Sequence, residues 1–505
     1  MSLVKDRAAY AKTLEVLKRH RRGLTAADLA AAAALPLPRA RELLSRAADE
    51  FRGRLRVTES SEILYDFPRG FTSRYTGLGA RFRRFTGKFL KAGAVFLSWL
   101  FKAWILVMLL GYFAIFMLIA LAALTLSAAG GSSSSNNRSR NNSGGSFFLA
   151  AHIFDLIIRL WFYSELTRSM EGSYRSSYSR RGKAPGQPLH RAVFSFVFGE
   201  KDPNSGADEA DKKAIIAYLC ANRGLIGLPE YMALTGLPPR EAEGGILAFC
   251  AEFGGYPEAT EEGAIVYRFQ DILLRADKED RLVLEAGSRQ PGPSPQGWGP
   301  PRRLRAFSAN SKTMNTWFGI INSVNLLFGT YFLYQAFNTG IIRTTEQLQA
   351  SPRIYGTAYF LASHFLENPQ PFMLVGLGLV PLLFSFFFWL IPALRFIRLG
   401  AKNQKIKKRN LRKAGFRVIW EKIRGIRTAD FANPAPEYNP KAAEAEREKI
   451  IVEMGSYSQP DVEVDERGTV YNFNELERER GALAASRAVV NPGDSGIGKV
   501  IFDSE

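Results

Sequence analysis

The chain has 505 residues, of which 46% are hydrophobic and 23% are charged, and it is longer than a single domain of about 100–200 residues. Its 67 Lys and Arg residues outnumber its 48 Asp and Glu residues, and the net charge of +19 points to anionic partners. Two cysteines cannot build a disulfide framework or a four-thiolate zinc site, and the four histidines lie far apart in the sequence and suggest no metal motif. The chain also lacks the P-loop, GxGxxG, HExxH and GxSxG motifs, so we expect no enzyme, no cofactor and no metal site.

The first section, residues 1–75, has the pattern of three helices followed by a β-hairpin. Thr25 and Asp28 form a helix-start pattern, and residues 57–67 (VTESSEILYDF) alternate polar and apolar positions after a turn. This element order predicts a winged-helix-like module. The candidate nucleic-acid contacts of its third helix are Arg39, Arg41 and Arg46.

Residues 76–166 contain a basic segment and two hydrophobic runs. Residues 103–127 carry no charge and are long enough to cross a hydrocarbon core of roughly 30 Å. Residues 147–163 are marginal as a span, because one acidic and one basic residue offset the apolar side chains. The polar residues of this run share one helix face and are candidate intramembrane contacts: His152, Asp155 and Arg159.

A similar pattern of helices and a hairpin recurs at residues 209–275, after a linker at 167–208. Its hairpin, residues 259–269 (ATEEGAIVYRF), again ends in Tyr-x-Phe. The pattern predicts a second winged-helix-like module. A basic linker rich in Pro and Gly follows at residues 276–312.

Residues 313–398 contain two further hydrophobic runs, for which we predict transmembrane helices at about 317–337 and 371–396. Asn322 and Asn325 lie on one face of the first and are candidate intramembrane contacts, either between helices or along a path for solute.

A basic segment and a third winged-helix-like module are predicted at residues 399–480, and a disordered tail at 481–505. The Tyr-x-Phe pairs of the three hairpins recur roughly every 200 residues, at Tyr65, Tyr267 and Tyr471, which indicates a repeat. The predicted fold is therefore an α-helical membrane protein with four transmembrane helices and three α+β winged-helix-like modules.

The basic residues flank the predicted spans on one side. By the positive-inside rule, both termini and all three modules are expected in the cytoplasm, with the protein in the cell inner membrane as a multi-pass protein. The same basic segments are expected to attract anionic lipid headgroups.

Residues 192–204 (AVFSFVFGEKDPN), the Tyr-x-Phe hairpins and the basic segments before the spans together carry a family resemblance. In these features the chain resembles uncharacterised multi-pass membrane proteins of bacteria, cyanobacteria and plastids. The resemblance implies no known activity.

We interpret the sequence as a membrane scaffold or adaptor that binds a protein partner or itself through its modules. Nucleic acid is a less favourable partner, because the corresponding helices of the second and third modules are acidic. Two alternatives stay open: a membrane-tethered DNA-binding regulator acting through the first module, and a small channel or transporter.

Overall fold

The computed structural model describes residues 2–20, 23–68, 71, 78–129, 188–276, 298–338, 353–431, 444–466, 468–490 and 497–504. The chain divides into two compact units, each of which is assembled from separated parts of the sequence. Unit 1 comprises Met1–Arg83, Asp202–Arg305 and Lys402–Glu505, and unit 2 comprises Arg84–Lys201 and Ala306–Ala401.

Short helices and small sheets alternate with long helices along the chain. In chain order the helices are α1 (Ser2–Arg19), α2 (Ala26–Ala33), α3 (Leu37–Phe51), α4 (Leu78–Ala129), α5 (Leu189–Phe198), α6 (Ala207–Ala221), α7 (Leu228–Thr235), α8 (Pro239–Phe253), α9 (Lys312–Asn338), α10 (Arg353–Ser363), α11 (Val380–Lys422), α12 (Glu444–Gly455) and α13 (Asn474–Val489). The strands are β1 (Arg54–Thr58), β2 (Ile63–Asp66), β3 (Leu225–Gly227), β4 (Tyr256–Ala259), β5 (Ile265–Arg268), β6 (Asp461–Asp465), β7 (Gly468–Asn472) and β8 (Val500–Asp503). A π-helix, Phe372–Leu379, leads directly into α11.

The short helices of unit 1 begin and end at residues suited to those positions. The Thr25 hydroxyl accepts a hydrogen bond from the Asp28 amide (3.1 Å), and the Asp28 carboxylate accepts one from the Thr25 amide (3.0 Å), so α2 begins with a capping box. Gly236 and Gly254 end α7 and α8 in the left-handed conformation that glycine adopts without strain.

The described residues of unit 1 form three small sheets. Their strand orders are β2-β1-β8, β3-β5-β4 and β6-β7, and every pairing is antiparallel. The predicted hairpin aromatics lie within or directly after these strands, and Phe67, Phe269 and Phe473 are completely buried. These three phenylalanines belong to the core of unit 1.

One hydrophobic core extends through all three sections of unit 1. It includes Leu29 of α2, Phe253 of α8 and Phe416 of α11, each of which is completely buried. Helices of the first and second sections contribute to it together, since α2 contacts α6 and α3 contacts α8. The sections therefore share their apolar burial, which is the main favourable contribution to folding.

Unit 2 is built on long helices. Among its described residues, one buried cluster joins α4 to α5, α9 and α11, and another joins α4 to α9, α10 and the π-helix. The π-helix has a local cause at its end: the Val380 amide donates to the Val375 carbonyl, five residues back, and Pro381 directly after it has no amide hydrogen to donate.

The predicted four-span count is wrong. Within the described residues, two helices are long and apolar enough to cross a membrane, at Ala92–Leu126 and at Phe372–Lys422. The predicted third span forms α9, but its Asn, Ser, Thr, Tyr and Gln side chains make it less apolar than those two. The predicted second span, residues 147–163, lies outside the described residues.

The predicted set of three winged-helix modules is also wrong. The sheets are small and scattered. The three sections pack into one common core, whereas three winged-helix modules would each have a core of their own. The first sheet even takes its third strand, β8, from residues more than four hundred positions later. The sequence pattern within each section indicated local hairpins and carried no information about packing between sections.

Two predicted irregular segments contain regular structure. Where a disordered tail was expected at residues 481–505, α13 continues to Val489 and β8 pairs with β1. Residues 192–204, which belong to the predicted linker 167–208, contain most of α5, whose residues Val193 and Phe196 pack in the core of unit 2.

Candidate functional site

The candidate nucleic-acid contacts of α3 are engaged by neighbours within unit 1. Arg39 donates to Asp6 (2.7 Å) and also pairs with Glu42. Arg41 lies 3.3 Å from Glu62 and 3.5 Å from Asp271. These acidic partners compete with phosphate oxygens for both guanidinium groups.

Arg46 has an aromatic neighbour. Its guanidinium carbon lies 4.6 Å from the centre of the Tyr10 ring, in cation–π geometry. The Tyr10 hydroxyl donates to Glu50, which lies one turn after Arg46 on α3. Arg46 is thus held against its own unit by α1.

Asn322 and Asn325 lie in the helix contacts of unit 2 and are completely buried. The Asn322 amide donates to the Ser385 carbonyl of α11 (3.0 Å), and the Asn325 amide donates to the Leu109 carbonyl of α4 (2.8 Å). One face of α9 therefore bonds to two other helices, which is the contact between helices that the sequence allowed.

Each of these amides uses its donor and leaves its acceptor unused. Among the described residues, the side-chain oxygens of Asn322 and Asn325 have no hydrogen-bond partner, and the same is true of the buried Ser385 hydroxyl. The remaining candidates, His152, Asp155 and Arg159, lie outside the described residues. Within the described ranges no group of three or more His, Cys, Asp or Glu residues could hold a metal ion.

Sequence reasoning missed a site in unit 1. Residues 298–305 (Trp-Gly-Pro-Pro-Arg-Arg-Leu-Arg), here called the Pro-Arg segment, form neither helix nor strand and run along α11. Three asparagines, here called the asparagine face, hold its backbone: Asn204, Asn403 and Asn410.

Each asparagine pairs with both backbone groups of one arginine. Asn410 accepts from the Arg302 amide (2.9 Å) and donates to the Arg302 carbonyl (2.7 Å). Asn403 does the same with Arg305 (3.0 and 2.9 Å). Asn204 pairs with Arg303 from the other side of the segment (2.9 and 2.7 Å). The side-chain amides thus replace the hydrogen bonds that a neighbouring strand would supply.

Acidic residues hold two arginine side chains of the segment. Arg302 donates to Asp208 (2.5 Å) and to Asp211 (3.0 Å), and Arg305 pairs with Asp202. Asp211 is 8% exposed and also accepts from Arg409 of α11 (3.0 Å). The pairing with several cations offsets the cost of burying this carboxylate.

The sequence did contain one signal for this site. Asn403 and Asn410 are seven residues apart on one helix face, which brings their side chains to the same side of α11. The Pro and Gly content of the predicted linker 276–312 gave no indication that asparagine side chains bind the backbone of residues 302, 303 and 305.

The fold and these contacts define a mostly helical protein with two candidate membrane-spanning helices and a separate unit of helices and small sheets. An uncharacterised chloroplast protein of Arabidopsis thaliana is 24% identical over 393 residues, which cover 77% of this chain and 68% of the plant protein. No family model matches the chain, and no solved structure matches it. The chain therefore has a distant homologue in plastids whose function is not known.

Proposed function

We propose that the protein is a membrane-anchored adaptor, in which unit 2 lies in a lipid bilayer and unit 1 binds a protein partner. The supporting observation is the exposure of large apolar side chains on the long helices of unit 2. Phe96, Trp104 and Val107 of α4 are 50–64% exposed, and Phe386, Phe387 and Phe396 of α11 are 52–68% exposed. A soluble protein rarely exposes an apolar surface of this extent to water.

Charge supports the same arrangement. The apolar part of α11 is followed by a run of Lys and Arg from Arg398 to Lys413, and the apolar part of α4 is preceded by another. Near an anionic leaflet each such residue contributes about 1 kcal/mol of attraction.

A protein partner accounts for unit 1 better than nucleic acid does. Arg39, Arg41 and Arg46 are engaged by acids or by an aromatic ring of unit 1, so a duplex would have to displace those partners. Surfaces of mixed charge are ordinary in protein interfaces.

The membrane part is tested with two matched arginine substitutions at exposed apolar positions. Leu118→Arg places a charge on the apolar part of α4, where a bilayer would penalise it by about 2.5–3.5 kcal/mol. Val464→Arg places the same charge on β6 of unit 1, where the wild-type side chain is 80% exposed. We expect Leu118→Arg alone to lower the yield of carbonate-resistant, membrane-inserted protein.

Equal tolerance of both substitutions, or release of the wild type by alkaline carbonate, would contradict membrane anchoring. The adaptor part is tested by affinity purification of the detergent-solubilised protein from its own cells. We expect a co-purifying protein at a stoichiometric ratio, retained at salt concentrations that remove nucleic acid. Recovery of nucleic acid as the sole specific partner would contradict the adaptor function.

A further inference from the structure

The asparagine face matches the repeat of an extended polyproline chain. Asn403 and Asn410 are separated by seven helical residues, or about 10.5 Å along α11. Their partners Arg305 and Arg302 are three residues apart, which in a polyproline II chain is one full turn and about 9.3 Å. Two prolines precede these arginines, and proline favours the polyproline II conformation.

The hydrogen bonds direct the backbone groups of Arg302 and Arg305 toward α11 and those of Arg303 toward Asn204, as expected for a chain with three residues per turn. A polyproline II chain makes no internal hydrogen bonds, so each residue offers a free amide and a free carbonyl to a side-chain amide. The asparagine face thus recognises chain conformation and places few demands on side chains at the three clamped residues.

Side-chain selectivity comes from the flanking contacts. Trp298 is 9% exposed, and its ring centre lies 5.5 Å from that of Tyr218, with the Arg417 guanidinium over the indole at 5.6 Å. Gly299 is required by space, because a Cβ there would lie 2.9 Å from the Ala214 Cβ and 3.1 Å from the Lys413 Nζ.

The arginine positions add charge selectivity, because Asp208 and Asp211 receive Arg302 and Asp202 receives Arg305. The full set of contacts describes a ligand with a tryptophan anchor, a glycine, two prolines and two arginines three residues apart. Such specific anchors beside a backbone clamp are typical of peptide-recognition surfaces.

We propose that the asparagine face is a peptide-binding site of unit 1, that the Pro-Arg segment is its resident ligand, and that a partner protein's extended segment of the same chemistry replaces it. The inference deepens the proposed adaptor function by naming the chemistry of the partner. The resident segment is covalently tethered to its own site and therefore acts at a high effective concentration. A partner segment must therefore bind more tightly or through additional contacts.

The first test uses a fluorescein-labelled peptide of residues 296–307 and full-length protein in detergent. The variant Arg302→Ala/Arg305→Ala weakens the resident ligand, and its fold is checked by circular dichroism and thermal melting. We expect this variant to bind the peptide at least tenfold more tightly than the wild type, by fluorescence anisotropy. Adding Asn410→Ala should weaken that binding at least tenfold, and adding Gln404→Ala, an exposed amide on the same helix, should not.

A folded Arg302→Ala/Arg305→Ala variant that fails to bind the peptide would overturn the proposal. Binding that is indifferent to Asn410→Ala would do the same. A peptide with alanine in place of both arginines serves as the control for charge selectivity, and equal affinity for it would remove the assigned role of the aspartates.

The second test uses the wild type, so it does not depend on the folding of a variant. Hydrogen exchange is followed by mass spectrometry with and without excess unlabelled peptide. We expect deuterium uptake of residues 298–305 to rise in the presence of the peptide while α2 and α8 keep their protection. Unchanged uptake at a peptide concentration that saturates the weakened variant would overturn the replacement of the resident segment.

A second copy of the chain is the other source of the same chemistry. Light scattering after size-exclusion chromatography separates the two sources. A wild-type dimer that Arg302→Ala/Arg305→Ala converts to a monomer would overturn the assignment to a partner protein. A failure of affinity purification together with intact peptide binding would count against the adaptor function and leave the site in place.

Discussion

Asparagine side chains make different hydrogen bonds in the two units. In unit 1, Asn403 and Asn410 each use both donor and acceptor on the backbone of one residue. In unit 2, Asn322 and Asn325 each donate to one helix carbonyl, and their oxygens have no partner among the described residues. The side chains are identical, so the difference comes from the backbone that each one meets.

An extended chain offers its amide and its carbonyl together, because neither is used internally. The interior of a helix has committed its amides to carbonyls one turn earlier, and only a second lone pair on each carbonyl is available. An asparagine facing an extended segment can therefore satisfy both of its groups, whereas one facing a helix satisfies its donor alone. The same residue type gives a two-point clamp in unit 1 and a one-point contact in unit 2.

The largest loss of stability is expected when the clamp made by Asn410 is broken. Breaking the one-point contact made by Asn325 in parallel gives the comparison. Asn410→Ala leaves the amide and the carbonyl of Arg302 without their partner, at roughly 1–3 kcal/mol for each group. Asn325→Ala leaves the Leu109 carbonyl within the helix ladder of α4, so we expect a loss of only about 0.6 kcal/mol for that hydrogen bond, plus the cost of the lost side-chain volume. Thermal melting of the two variants in the same detergent measures the difference.

A smaller loss for Asn410→Ala than for Asn325→Ala would contradict the comparison. The Gln404→Ala variant controls for the removal of an amide from the surface of α11, and its melting temperature should equal that of the wild type.

A second expected effect concerns how closely the helices of unit 2 approach. A Cβ on Gly329 of α9 would lie 2.9 Å from the Leu382 amide nitrogen of α11, so Gly329→Ala must push the two backbones apart. We expect a destabilisation of about 1–3 kcal/mol, as for other overpacked contacts. Because Asn322 reaches Ser385 across the same contact, the shift would also stretch that hydrogen bond.

Gly400→Ala is the matched control on α11, since nothing lies within 4 Å of a Cβ there. A helical glycine in open space gains about 0.5–1 kcal/mol on replacement by alanine. Melting temperatures that move in opposite directions would support the close approach, and equal shifts would count against it.

The smallest expected effect concerns the alkylation rate of a buried thiol and not the stability of the protein. Cys250 of α8 is buried in the core of unit 1, and burial raises the pKa of its thiol to about 11. At pH 8 its thiolate fraction is about a hundredfold below that of a thiol with the ordinary pKa, so alkylation should be slow. Maleimide labelling of a Cys220→Ser variant, native against denatured, measures it. Rapid labelling of the native protein would show that the core of unit 1 opens readily.

The sequence predicted local features better than it predicted their combination. The hairpin aromatics, the capping box at Thr25 and the long apolar runs of α4 and α11 follow from neighbouring residues, and the structure contains all three. The four-span count failed because the prediction for α9 relied on the length of its apolar run and gave too little weight to its polar side chains. The three-module fold failed because periodicity within a section does not reveal that its buried face packs against another section.

The candidate site was harder to predict, for a physical reason. Asn204, Arg303 and Asn403 are far apart in the sequence, and their pairing depends on a segment without any hydrophobic period. Its Pro and Gly content predicted a linker. That content could not indicate that side-chain amides would hold the backbone in place of a sheet.

The pairing of β8 with β1 has a consequence for biosynthesis. The ribosome makes Val57 about 440 residues before its partner Phe502, a delay of roughly 20–90 s at ordinary elongation rates. During that interval the edge of β1 stands open while the long apolar helices emerge from the exit tunnel. We therefore expect nascent chains to need protection of this edge, by a chaperone or by a temporary pairing, until the last strand is delivered.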